Sequence, residues 1–138
     1  MFTLHPQLAQ DTVAIGDLPL SRLLVHKDAN YPWLLLVPRG TDLVEITDLD
    51  AAERTQLMTE IGTVSQALKG VTRCDKLNVA ALGNMVPQLH VHVIARRRTD
   101  AAWPRPVWGA VPAISYRDDD LQILIRAIRR QLGLDQKT

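Results

Sequence analysis

Gln88, His90 and His92 occupy alternate positions in the run Gln88-Leu89-His90-Val91-His92-Val93-Ile94. In extended chain, residues two apart share a face, so the amide and both imidazoles project to one side and Leu89, Val91 and Val93 to the other. Same-face neighbours sit roughly 6–7 Å apart at a rise of about 3.3 Å per residue, close enough for two rings and an amide to grip one tetrahedral anion. A neutral imidazole has one donor and one acceptor. Such a row can therefore donate to phosphoryl oxygens while one ring presents a bare nitrogen as nucleophile. The middle ring, His90, is best placed for attack.

A strand with one oily face must carry this row. Pro87 has no N–H for a ladder bond, which puts the expected start of the strand near Gln88. Lys76 to Leu82 has strand composition, and Gly83-Asn84 reads as the turn joining it, antiparallel, to the histidine strand. Asn78 then lies across from the row or one face away; a strand asparagine is more often a structural hydrogen bonder than a ligand contact. Upstream, Pro6 to Asp11 makes a helical turn, Thr12 to Ile15 a short strand closed by Gly16-Asp17, and Arg22 to His26 and Trp33 to Val37 a buried antiparallel pair joined by the turn-rich loop 27–32. Asp50 to Lys69 is the clearest helix: Leu57, Ile61, Val64 and Leu68 form its apolar stripe, Asp50 and Glu53 a capping box, and Gly70 the expected left-handed terminus. Asp118-Asp119-Asp120 opens a second helix running to about 132, with acids at its start and arginines at its end, and 135–138 is expected to fray. These elements imply an α+β fold, a single domain over 1–138 in which an antiparallel sheet carries two main helices on one face.

A chain of 138 residues with 46% hydrophobic content can build a core without disulfides or metal clips. Its net charge of +1 gives no global field toward nucleic acid or a membrane surface. The lone cysteine, Cys74, suits a reducing cytoplasm, and no export signal, membrane span or repeat is visible.

The alternation at 88–94 resembles the signature of the histidine triad superfamily, in its bacterial variant with glutamine in the first triad position. The resemblance covers roughly residues 22–98. It implies that the middle histidine, His90, attacks the α-phosphorus of a nucleotide and is transiently nucleotidylated, with His92, Gln88 and Asn84 contacting phosphate or leaving group. Met85 stands where many members carry a hydroxyl. Leu36-Val37-Pro38 resembles the strand end that follows the nucleoside pocket, which implies sugar contacts near His26, Lys27 or Asn30, with Asn78 a further candidate. A homodimer is implied as well. Substrates would be nucleotide phosphoramidates, acyl-nucleotides or dinucleotides, cleaved or transferred without a cofactor.

Three other readings compete. Gln88 and Met85 are compatible with a nucleotide-binding module that has little chemistry left. Two histidines two apart on a strand are also a common pair of metal ligands, but no third ligand stands at a useful spacing. Two satisfied buried histidines would explain neither the alternation nor the polar neighbours. Arg96-Arg97-Arg98 is either a solvated edge or a reach toward phosphate, and Trp103 and Trp108, between prolines, either cover the active face or a partner, or pack on the core.

Overall fold

The computed structural model describes residues 1–134, so the expected fraying of 135–138 falls outside it. Strands β1 (Thr12–Asp17), β2 (Ser21–His26), β3 (Trp33–Pro38), β4 (Lys76–Ala80) and β5 (Val91–Arg96) pair antiparallel in the spatial order β1-β2-β3-β5-β4. Helices α1 (Pro6–Asp11), α2 (Ala51–Thr72) and α3 (Asp120–Gln131) complete the α+β architecture. The expected strands and helices are all present, and α2 starts on the expected capping box: Asp50 accepts from the Glu53 amide at 2.8 Å and Glu53 from the Asp50 amide at 2.9 Å.

Side-chain alternation splits the apolar residues between two faces. Leu23, Val25, Leu34, Leu36, Val91 and Val93 meet Leu57, Val64 and Leu68 of α2 and Ile125 and Ile128 of α3 in an aliphatic core. Each such side chain, fully buried, contributes about 1.5–3 kcal/mol relative to exposure. The helices are also pinned to the sheet edge by polar contacts. Buried Glu60 of α2 accepts from the amides of Leu20 and Ser21 at 2.7 and 3.0 Å, and Arg129 of α3 donates to the carbonyl of Ile15. On the opposite face Leu24, Trp33, Leu35, Val37 and Ile94 meet Leu8 of α1, Val86, Ala102 and Val107, a smaller layer with no long helix over it.

Three boundaries differ from the sequence expectation. First, β5 begins at Val91, because Leu36 is the last β3 partner it reaches and Ala80 the last from β4. Ahead of it, Leu89 donates its amide to the carbonyl of Leu43 instead of to a strand. Second, β4 ends at Ala80, so residues 81–90 form a ten-residue connection in which Gly83 takes φ +76°. Third, α2 runs through Gly70 to Thr72, and the left-handed cap is Arg73 at φ 53°, its amide bonded to Lys69. Gly70 faces Gln131 of α3, with 3.8 Å between that side chain and a β-carbon built on the glycine.

Candidate active site

The site lies at the end of the sheet where β5 begins. Although Gln88 to His90 is not strand, the alternation persists: Leu89 joins the aliphatic core, while His90 and His92 share the opposite face with ring centroids 4.9 Å apart. Both rings are buried, His90 at 7% exposure and His92 at 5%, yet both line a cleft of about 350 Å³. Its walls are Asp11, Thr12, His26, Trp33, Trp108 and the 82–86 stretch, including Asn84 and Met85. Asp11 is the one lining side chain with a formal charge. A second cavity of about 350 Å³, formed by Val44–Thr47, Ala81–Gly83 and Gln88–His90, shares Leu82, Gly83 and His90 with the cleft.

Hydrogen bonds fix which nitrogen of each ring carries the proton. His90 Nδ1 lies 2.6 Å from the main-chain carbonyl of Gln88, and a carbonyl only accepts. Nδ1 therefore carries a hydrogen, and the tautomer with its single hydrogen there leaves the lone pair on Nε2. His92 is the reverse. Its Nδ1 lies 2.9 Å from Nε1 of Trp33, an indole that only donates, so His92 carries its hydrogen on Nε2. Burial first, then the neighbouring His90 and His26, push the His92 pKa down to about 3, which keeps this ring neutral. His26 stacks on Trp33 with centroids 4.1 Å apart and an interplanar angle of 13°; burial lowers its pKa as well, against Asp11 and Asp28. Trp108 stands at right angles to Trp33 and 5.0 Å from His92.

The structure gathers His90, His92, Asn84 and His26 around the cleft, with Met85 and Trp108, and places the Gln88 amide, Lys27, Asn30 and Asn78 elsewhere. The amide of Gln88 does not face the row. Its Oε1 accepts from the backbone N–H of His5 at 2.8 Å and its Nε2 donates to the carbonyl of Thr3 at 2.9 Å, so this residue acts on His90 through its main chain. Lys27 donates to the carbonyl of Gln10 and borders a neighbouring cavity of about 250 Å³ that shares Asp11 and His26 with the cleft. Asn30 bridges Asp28 and the carbonyl of Pro112 and thereby ties down its own loop. Asn78 accepts from Arg96 at 2.8 Å, away from the row.

The arginine run is structural. Arg96, 1% exposed, makes two bonds to Asp100 at 2.8 and 3.1 Å, donates to the carbonyl of Arg105, and lies under the rings of Tyr31 and Trp103. Arg97 donates to the carbonyls of Thr72 and Arg73. The two tryptophans divide the roles foreseen for them, Trp103 packing on Arg96 and Trp108 over the cleft. In the sequence Trp33, the donor to His92, stands only as a core residue of an apolar strand. The available signal was its parity: Trp33, Leu35 and Val37 share a face, Leu35 pairs with His92, and Trp33 is therefore the diagonal neighbour of that ring.

Residues 7–99 match the model of the HIT domain. The chain belongs to the histidine triad family. Among solved HIT structures, a histidine triad protein from Bradyrhizobium japonicum superposes with a TM-score of 0.94 at 62% identity, over 95% of this chain and 98% of that one. A histidine triad protein from Marinobacter aquaeolei VT8 gives 0.93 at 40% identity, over 97% and 98%. A protein named AP-4-A phosphorylase from Mycobacterium tuberculosis is 30% identical over 94% of this chain and 70% of its own length. The HIT match starts within α1, upstream of the 22–98 core marked by the sequence resemblance. Among the described residues no group of three or more His, Cys, Asp or Glu is placed to hold a metal ion, and no helix is long and apolar enough to cross a membrane.

Proposed function

We propose that this HIT protein is a nucleotide hydrolase or nucleotidyl transferase that works through a covalent nucleotidyl group on His90. The observation that carries the reading is the His90 tautomer, with Nδ1–H on the Gln88 carbonyl and a lone pair left on Nε2. In the first step Nε2 attacks phosphorus, a P–N bond forms, and the bond to the leaving group breaks with its electron pair going to that group, which takes a proton from solvent when it leaves as an amine. The positive charge that develops on the ring is stabilised through Nδ1–H by the carbonyl already in place. In the second step an oxygen of water or of inorganic phosphate bonds to phosphorus, the P–N bond breaks with its electron pair returning to Nε2, and the proton of the acceptor passes to solvent.

The substrate class is a nucleoside phosphate derivative: a phosphoramidate, an acyl-nucleotide or a dinucleotide. The aromatic walls of His26, Trp33 and Trp108 suit a flat ring, and the name of the M. tuberculosis relative favours a dinucleotide with phosphate as acceptor. Two copies are expected to associate, since β4 is a sheet edge with Val79 exposed. A nucleotide-binding module is the second reading. It is favoured by Met85, which is 91% exposed at the cleft and brings no hydroxyl to a leaving group.

Mixing with adenosine 5′-phosphoramidate or diadenosine tetraphosphate, with and without inorganic phosphate, followed by quenching at neutral pH and mass spectrometry, tests the reading. A nucleotidyl adduct on His90 is expected, absent in His90→Ala, with turnover down at least about a thousandfold. Tight nucleotide binding without turnover would instead identify the module.

A further inference from the structure

The two histidines of the cleft hold their protons in opposite senses, and the difference traces to one residue on another strand. Nδ1 of His90 donates to a main-chain carbonyl, while Nδ1 of His92 accepts from the indole of Trp33 at 2.9 Å. An indole N–H cannot accept and a carbonyl cannot donate, so neither arrangement can invert without losing its bond. Trp33 has little freedom to turn. It is 5% exposed, stacked on one face by His26 and met edge-on by Tyr31 and Trp108.

We propose that Trp33 is a positioning residue that locks His92 as an Nε2–H donor aimed at the phosphoryl oxygens of a substrate attacked by His90. This rests on the nucleotidyl-transfer reading of the site. With the proton of His92 fixed on Nε2, the cleft offers a bare nitrogen on one ring and an N–H on the next, 4.9 Å away by centroid. Were the His92 tautomer reversed, both rings would present lone pairs, and two lone pairs would face the oxygens of an anion. The donor is also neutral, so it stabilises charge that builds up in the transition state without first binding the ground state as a cation would. Other groups facing His92 do not supply this control. His90 lies ahead of it on the same segment, His26 on β2 stacks on the Trp33 ring, Trp108 meets it ring-on-edge, and Asp11 is the lone formal charge in the walls.

The test is two-bond proton–nitrogen NMR on the full chain with labelled histidine, together with steady-state kinetics on adenosine 5′-phosphoramidate. Wild type is expected to show His92 protonated at Nε2 alone, and this pattern on Nδ1 would overturn the proposal without any variant being made. Trp33→Phe keeps the ring stack and deletes the donor. It is expected to give a mixture of His92 tautomers, a kcat lower by about tenfold or more with KM changed by less than about threefold, and a new acid limb in the pH profile. Trp33→His, which offers a ring N–H from the same backbone position, should recover turnover above that of Trp33→Phe and restore the Nε2–H pattern. An unaltered tautomer in Trp33→Phe, or an altered one with wild-type kcat, would overturn it. Absence of turnover in wild type would sink the transfer reading alone, because the tautomer comparison still decides whether Trp33 holds the proton in place.

Discussion

The two faces of the sheet are built from one alternating sequence and obey different physics. The face under α2 and α3 is aliphatic and closed, held by packing, with Glu60 and Arg129 pinning the helices at its margin. The face that carries His90 and His92 is aromatic and polar, covered by short segments, and fixed by directed bonds: Trp33 to His92, His90 to the Gln88 carbonyl, Arg96 to Asp100. Dispersion and burial tolerate small shifts, whereas a hydrogen bond reports its direction. Packing thus holds one side of the sheet, while directed bonds and the candidate site lie on the other.

Substitutions can break that division, and they rank by size. His90→Ala should erase at least about 4 kcal/mol of transition-state stabilisation, the thousandfold loss of turnover, while moving the unfolding midpoint little. On the same face Asp100→Ala strips the partner from a guanidinium that is 1% exposed and should cost about 3–5 kcal/mol in denaturant unfolding. The pH sign follows from the native carboxyl of Asp100. Burial works to raise its pKa, but the Arg96 hydrogen bond, the amides of Arg97 and Trp103 and the Arg96 charge hold it below the ordinary 3.8. Its contribution is therefore present above pH 4 and lost as pH falls through that lowered value.

The closed face should respond in the opposite currency. Leu68→Ala is expected to cost about 2–5 kcal/mol of stability, with kcat per folded molecule unchanged. A smaller effect separates the faces by acid titration. His92 has a pKa of about 3 in the folded chain against 6.5 for an exposed ring, so between these values the unfolded chain holds the extra proton and stability falls as pH drops. The slope from this group is at most about 1.4 kcal/mol per pH unit, and His92→Phe should remove it in unfolding curves taken from pH 7 to 4. Least of all, Lys27→Ala should change kcat/KM by less than about twofold, since its ammonium is held at the Gln10 carbonyl and does not border the cleft.

What could be read from the sequence was local and periodic. The His90/His92 parity, the Asp50–Glu53 cap and the α2 stripe depend on spacings of two to four residues, and all survive in the structure. What escaped depends on contacts between distant segments. Gln88 is spoken for by Thr3 and His5, more than eighty residues away, and no spacing rule indicates which of its groups faces His90. Three adjacent arginines carry no sign that the first is buried against Asp100 and the second caps the end of α2. Gly70 had the right composition for a terminus, yet Thr72 Oγ1 bonds the Leu68 carbonyl and the helix continues past it.

The amide of Gln88 spans two backbone groups of the amino-terminal segment, and its main-chain carbonyl holds the ring of His90. Thr3 and His5 are thus mechanically linked to the His90 ring through a single residue. An affinity tag or fusion partner attached ahead of Phe2 would load that linkage directly, and one attached after α3 would not. Assays on tagged protein should therefore carry the tag at the carboxyl end, or a weak reading will describe the handle and not the enzyme.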